Sequence, residues 1–176
     1  MGEEEVTAIA HSLKNVTQLN KLDLSKNPLG HGISELAKHM PSVPHLEELH
    51  LNNTQMGEEE VTALAHVLVY VPELKSLELD KNPLGRGVSE LIKCLRSSPQ
   101  LLRNTFGGLV IYRKAPVLSL REVQLTKKEA TELCTLANER EMSLMSDYHV
   151  SFPFVICIIN ARNTQELPGR RKRTVL

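Results

Sequence analysis

Leucine alternates with polar residues at Leu22-x-Leu24, Leu49-x-Leu51 and Leu77-x-Leu79. A period of two predicts short strands with one buried and one wet face. Between the strands the apolar positions change spacing. Val6, Ile9 and Leu13 fall at i, i+3 and i+7, as do Ile33, Leu36 and Met40, Val61, Leu64 and Leu68, and Val88, Leu91 and Leu95. That spacing predicts helices with an apolar stripe. The glutamates at 3–5 and 58–60 suit first helical turns, where carboxylates meet the positive end of the dipole. Pro44, Pro72 and Pro99 stop the helices before the next strand.

The pattern repeats. Met1-Gly-Glu-Glu-Glu-Val-Thr-Ala8 recurs unchanged from Met56, and residues 1–40 match 56–95 at 25 of 40 positions. The offset of 55 divides in two, because Leu19, Leu46 and Leu74 open segments 27 and 28 residues apart. A strand, a crossover helix and a new strand per period predict parallel neighbours joined by right-handed connections. The expected fold class is therefore α/β, a right-handed solenoid with strands on a concave face and helices on a convex one. Residues 1–102 hold about three and a half repeats, and the chain starts mid-repeat, as a fragment of something longer would. The period fails at Asn104 and Phe106. A strand-like Leu120-xx-Val123-x-Leu125, followed by Ala130, Leu133 and Ala137, predicts a degenerate last repeat over 103–141. Residues 142–176 show no period, and an irregular or partly disordered tail is expected there.

The segments read Leu19-xx-Leu22-x-Leu24-xx-Asn27-x-Leu29, Leu46-xx-Leu49-x-Leu51-xx-Thr54-x-Met56 and Leu74-xx-Leu77-x-Leu79-xx-Asn82-x-Leu84. This arrangement resembles the leucine-rich repeat, in the helical, cytoplasmic subtype of ribonuclease inhibitor, and is most similar to the C-terminal repeats of NOD-like receptors. The resemblance implies a partial horseshoe and a protein-binding scaffold that senses ligands or restrains a receptor in innate immunity. It implies the cytoplasm as compartment and no enzyme activity. Regulation of a small GTPase, as by Ran GTPase-activating protein, and inhibition of a basic enzyme are the alternatives. No Gly-x4-Gly-Lys-Ser/Thr phosphate loop occurs in the chain.

If the leucines point inward, period two turns Lys21, Asp23, Ser25, Glu48, His50, Asn52, Ser76, Glu78 and Asp80 outward. One lysine against four acids makes a candidate surface for a basic protein partner, through focused potential. Asn27, Thr54 and Asn82 form a predicted structural ladder, since buried turns need polar partners for their backbone groups. A Ran-type activator is disfavoured because these strands offer no arginine.

Composition narrows the rest. Twenty-one basic and 21 acidic residues cancel and only six aromatics occur, so a nucleic-acid binder is not expected. The charge is uneven, with net −5 over 1–100 (9 basic, 14 acidic) and +5 over 101–176 (12 and 7). Three scattered cysteines predict no disulfide scaffold, and the longest apolar run, Val150–Ile159, is too short to span a bilayer. No His-Glu-xx-His or Cys-xx-Cys appears, so neither metal nor cofactor is expected. Repetition of His11 as His66 suggests a helix-surface role. Arg170–Arg173 reads as a solvated basic tail, and Thr174-Val-Leu176 as a minor candidate for strand addition to a PDZ groove.

Overall fold

A computed structural model describes residues 2–98, 117–140, 143–146 and 158–159. Six strands hydrogen-bond in chain order into one parallel sheet: β1 (Lys21–Asp23), β2 (Glu48–His50), β3 (Ser76–Glu78), β4 (Val117–Leu120), β5 (Ser143–Ser146) and β6 (Ile158–Ile159). Five helices alternate with them: α1 (Glu3–Ser12), α2 (Gly32–His39), α3 (Glu58–Val67), α4 (Gly87–Ser97) and α5 (Lys127–Arg140). Each of the first four helices packs on the next, and α4 meets α5. The chain is thus α/β, compatible with a repeat architecture.

Register is set by the leucines. Leu22, Leu49, Leu77 and Leu118 pair across β1 to β4. Leu49, Leu77 and Leu118 are fully buried, and half-buried Leu22 packs against the same core at its edge. That core is continuous with the helix stripes, including Val6, Ile33, Leu36, Val61, Leu64, Val88 and Leu91, so the helices cover one face of the sheet. Single 3-10 turns, such as Leu68–Tyr70, extend α1, α2 and α3 and lead the chain back towards the next strand.

The fourth repeat differs from its sequence reading. The strand lies at Val117–Leu120, whereas Leu120-xx-Val123-x-Leu125 was the expected strand-like segment. Leu118 stands opposite Leu77, an offset of 41 where earlier strands are offset by 27 and 28. Val123 and Leu125 therefore hold the turn positions of Asn82 and Leu84, and both are buried. The stripe Ala130, Leu133 and Ala137 is buried on α5 as its spacing requires. Within the segment expected to be irregular, β5 and β6 add two parallel strands. The basic tail and the C-terminal tripeptide lie outside the described residues.

The starts of α1, α3 and α5 share one device. The Glu5 carboxylate accepts from the Gly2 amide (2.9 Å) and the Glu60 carboxylate from the Gly57 amide (2.9 Å), satisfying donors the first turn leaves orphaned. In α5 the device is a full capping box: the Thr126 amide donates to Glu129 Oε2 (2.8 Å) and the Glu129 amide to Thr126 Oγ1 (3.2 Å). The Ser89 hydroxyl of α4 donates to the other Glu129 oxygen at 2.7 Å. Burial pushes this carboxyl up, but the bonds from Ser89 and Thr126 outweigh it and hold it below the ordinary carboxylate range. The linkage sign follows: Glu129 stabilises the fold above its unfolded pKa, and the benefit disappears as acid protonates the folded carboxylate. Glu129→Gln is expected to cost about 1–2 kcal/mol at neutral pH. Denaturant unfolding at pH 7 and pH 3 checks this, with the difference between variant and parent shrinking in acid.

Candidate functional site

The side chains that the leucines force outward lie on the sheet face opposite the helices, in three rows running across the strands. Lys21, Glu48 and Ser76 form one row, and Asp23, His50 and Glu78 the next. The third contains Ser25, Asn52 and Asp80, in line with backbone bonds from Lys26 to Asn52 and from Asn53 to Asp80. Eight of the nine expected residues keep some exposure, from open Lys21 and Asp23 to half-buried Glu78 and Asp80.

Ser76 is the correction. It is buried, and its hydroxyl has no hydrogen-bond partner among the described residues. Its short side chain lies beside the longer Glu48 in register, so it does not reach the surface expected of it.

His50 is the hub of the face. Its Nδ1 lies 3.7 Å from Asp23 Oδ2, while Nε2 lies 3.5 Å from Glu48 Oε2 and 3.6 Å from Glu78 Oε1. Three carboxylates from three strands thus converge on one imidazole. Lys21 Nζ bonds the same Glu48 oxygen at 2.8 Å, and this hydrogen bond raises the Lys21 pKa. The Asp23 carboxyl is held below its usual range, first by the Ser25 amide that donates to it (3.0 Å) and against the cost of burial.

Asn52 ties the third row together. Its Nδ2 donates to Glu78 Oε2 (2.8 Å), and its Oδ1 accepts the Asp80 amide (2.9 Å). Asp80 is not available in the way its charge suggests. One oxygen accepts both the Ser119 hydroxyl (2.6 Å) and the Arg121 amide (2.7 Å). The acids that converge on His50 are Asp23, Glu48 and Glu78.

Sequence reasoning missed Ser119 and Arg121, which carry the face onto β4. The signal was present in Leu118-x-Leu120. Exposed Arg121 follows Asp80 in the third row, so the strand face is not devoid of arginine as expected.

Beneath the face lies the ladder. Asn82 Nδ2 donates to the carbonyls of Leu51 (2.7 Å), Leu79 (3.0 Å) and Asp80 (3.2 Å). Its Oδ1 accepts from the Thr54 amide (2.9 Å), the Thr54 hydroxyl (3.1 Å) and the Met56 amide (3.1 Å). One buried amide side chain thus joins two successive turns. The single proton of the Thr54 hydroxyl has Leu51 O (3.1 Å) as its alternative acceptor, and half-buried Asn27 donates to Leu24 O and Ser25 O of its own turn.

The helices also gather metal-ligating side chains where none was expected: His11 with Glu35 and His39, and His31 with Glu59 and Glu60. Among the described residues no helix is long and apolar enough to cross a membrane.

No model of a known protein family matches the chain. NACHT, LRR and PYD domains-containing protein 5 of Mus musculus is 36% identical over 98 residues, covering 54% of this chain and 8% of that protein. Tonsoku-like protein of Bos taurus is 34% identical over 106 residues, covering 57% and 8%. The chain thus spans under a tenth of the length of these relatives. A solved structure of leiomodin-1 actin-binding site 2 superposes with a TM-score of 0.58 at 16% identity, covering 81% of this chain and 78% of the other. The likeness to the mouse and bovine proteins is one of sequence over about half the chain, and the likeness to leiomodin-1 is one of fold.

Proposed function

We propose that the chain is a leucine-rich-repeat scaffold, wound as a right-handed solenoid, whose polar sheet face docks a protein with a basic contact surface. One observation carries this reading: Asp23, Glu48 and Glu78 converge around His50, with Lys21 as the lysine ion-paired among them. Clustered carboxylates on a shared face attract a complementary cationic surface and speed encounter. The Leu-xx-Leu-x-Leu-xx-Asn-x-Leu segments and the partial match to a protein named for its leucine-rich repeats support the repeat class. Within that class we place the chain with the ligand-sensing or autoregulatory repeats of NOD-like receptors, as a cytoplasmic binding module without catalysis.

The test is kinetic. A partner recovered on the immobilised chain is measured against the parent and against the double variant Glu48→Lys, Glu78→Lys. The on-rate at low salt is expected to fall by about tenfold or more, and the gap to close as salt screens the field. Equal on-rates for parent and variant would remove the electrostatic docking surface.

A further inference from the structure

We propose that His11, Glu35 and His39 form a binding site for a divalent transition-metal ion of the zinc type, bridging α1 and α2. Their ligand atoms already lie within 4.8 Å of one another. Glu35 and His39 are four residues apart on α2, hence on one helix face. His11 comes from the last turn of α1, and its ring meets the His39 ring edge-on with centroids 5.0 Å apart. Zinc bonds to nitrogen and oxygen of about 2.0–2.2 Å set tetrahedral ligands roughly 3.4 Å apart. The three groups therefore need to close by about 1 Å or somewhat more, within the reach of side-chain rotation.

The donor set selects the ion. Two imidazoles and one carboxylate suit zinc, cobalt or nickel, whereas calcium and magnesium take oxygen ligands. Exposed His11 and half-buried Glu35 and His39 leave the site open to an ion from solution. Lys38 Nζ bonds one Glu35 oxygen at 2.5 Å. A metal would compete with Lys38 for it or take the second oxygen.

The duplication supplies a second observation. The offset of 55 carries His11, Glu35 and His39 onto His66, Glu90 and Cys94. Each replacement is again a zinc-ligating residue type, and the single change is from histidine to cysteine. There the thiol is engaged by the Ala65 carbonyl (2.7 Å), so only the α1–α2 copy is assembled. The other grouping is less suited. It has one imidazole, and buried Glu60 already accepts from the Gly57 amide and contacts His31 Nδ1 at 2.6 Å.

Zinc chloride titrated calorimetrically into the tag-free full chain tests the site, with cobalt(II) absorption reporting the ligand field and thermal unfolding reporting the cross-link. One saturable equivalent, a cobalt spectrum with nitrogen ligation and a raised Tm are expected. His11→Gln and His39→Gln should each weaken affinity at least about tenfold, while His31→Gln leaves it unchanged. Circular dichroism identifies any variant that misfolds, and Glu35→Gln then takes its place. Absence of saturable binding to the parent overturns the site, as does parental affinity in the His11→Gln, His39→Gln double variant or a loss confined to His31→Gln.

Discussion

Asn82→Ala is expected to lower the unfolding free energy by about 3–5 kcal/mol, since each buried group left without its partner costs about 1–3 kcal/mol. The Thr54 and Met56 amides would lose their acceptor at Asn82 Oδ1. Thr54, Met56 and Asn82 are all buried, so water does not replace the bond at full strength. The Leu51 carbonyl loses a donor as well, though Thr54 Oγ1 still serves it. Asn27→Ala is the comparison: Asn27 is half-buried and its amide serves its own turn, so a loss of about 1 kcal/mol is expected. Chemical denaturation of the two variants decides the matter. Equal losses would mean that Asn82 acts as an ordinary turn residue and does not join adjacent turns.

Gly87→Ala should be nearly as damaging, at about 3 kcal/mol, because overpacking forces neighbours off their positions. A Cβ built on Gly87 would stand 2.1 Å from Val61 Cγ1 and 2.8 Å from the Glu58 carbonyl oxygen. Gly87 opens α4 where it meets α3, so the added methyl would push the two helices apart. Adding Val61→Ala removes the nearer obstacle but leaves the Glu58 backbone in place. A double-mutant cycle should therefore show strong coupling and incomplete recovery. Simple additivity of the two losses would contradict the contact.

The first three repeats were legible because one residue type carried the whole signal. Leu22, Leu49 and Leu77 recur at fixed spacing, and the same spacing sets their hydrogen-bonding register. Outward placement of Asp23, His50 and Glu78 then followed from the pleat. What the letters could not convey was who bonds whom. Asp80 and Glu78 look alike in sequence, yet Asp80 is held by Ser119 and the Arg121 backbone from a strand that reading displaced. That displacement has a plain cause. Leu120-xx-Val123-x-Leu125 satisfies the opening letters of the repeat, but Leu118-x-Leu120-xx-Val123-x-Leu125 satisfies its second half, and pairing with Leu77 selects the latter. His11, Glu35 and His39 escaped notice for another reason: no local motif joins groups that meet only across two helices.

Each described strand bonds only to those before and after it in the chain, the order that the proposed solenoid requires. In the solenoid proposed for this chain, damage stays local, weakening a junction while the parts on either side keep their own contacts. A lesion at Gly87 would loosen the seam beside α4 first, and Lys21–Asp23 on the far side would sense it only through the strands and helices between. Cooperativity is then a property of neighbouring seams, and order can be lost in stages.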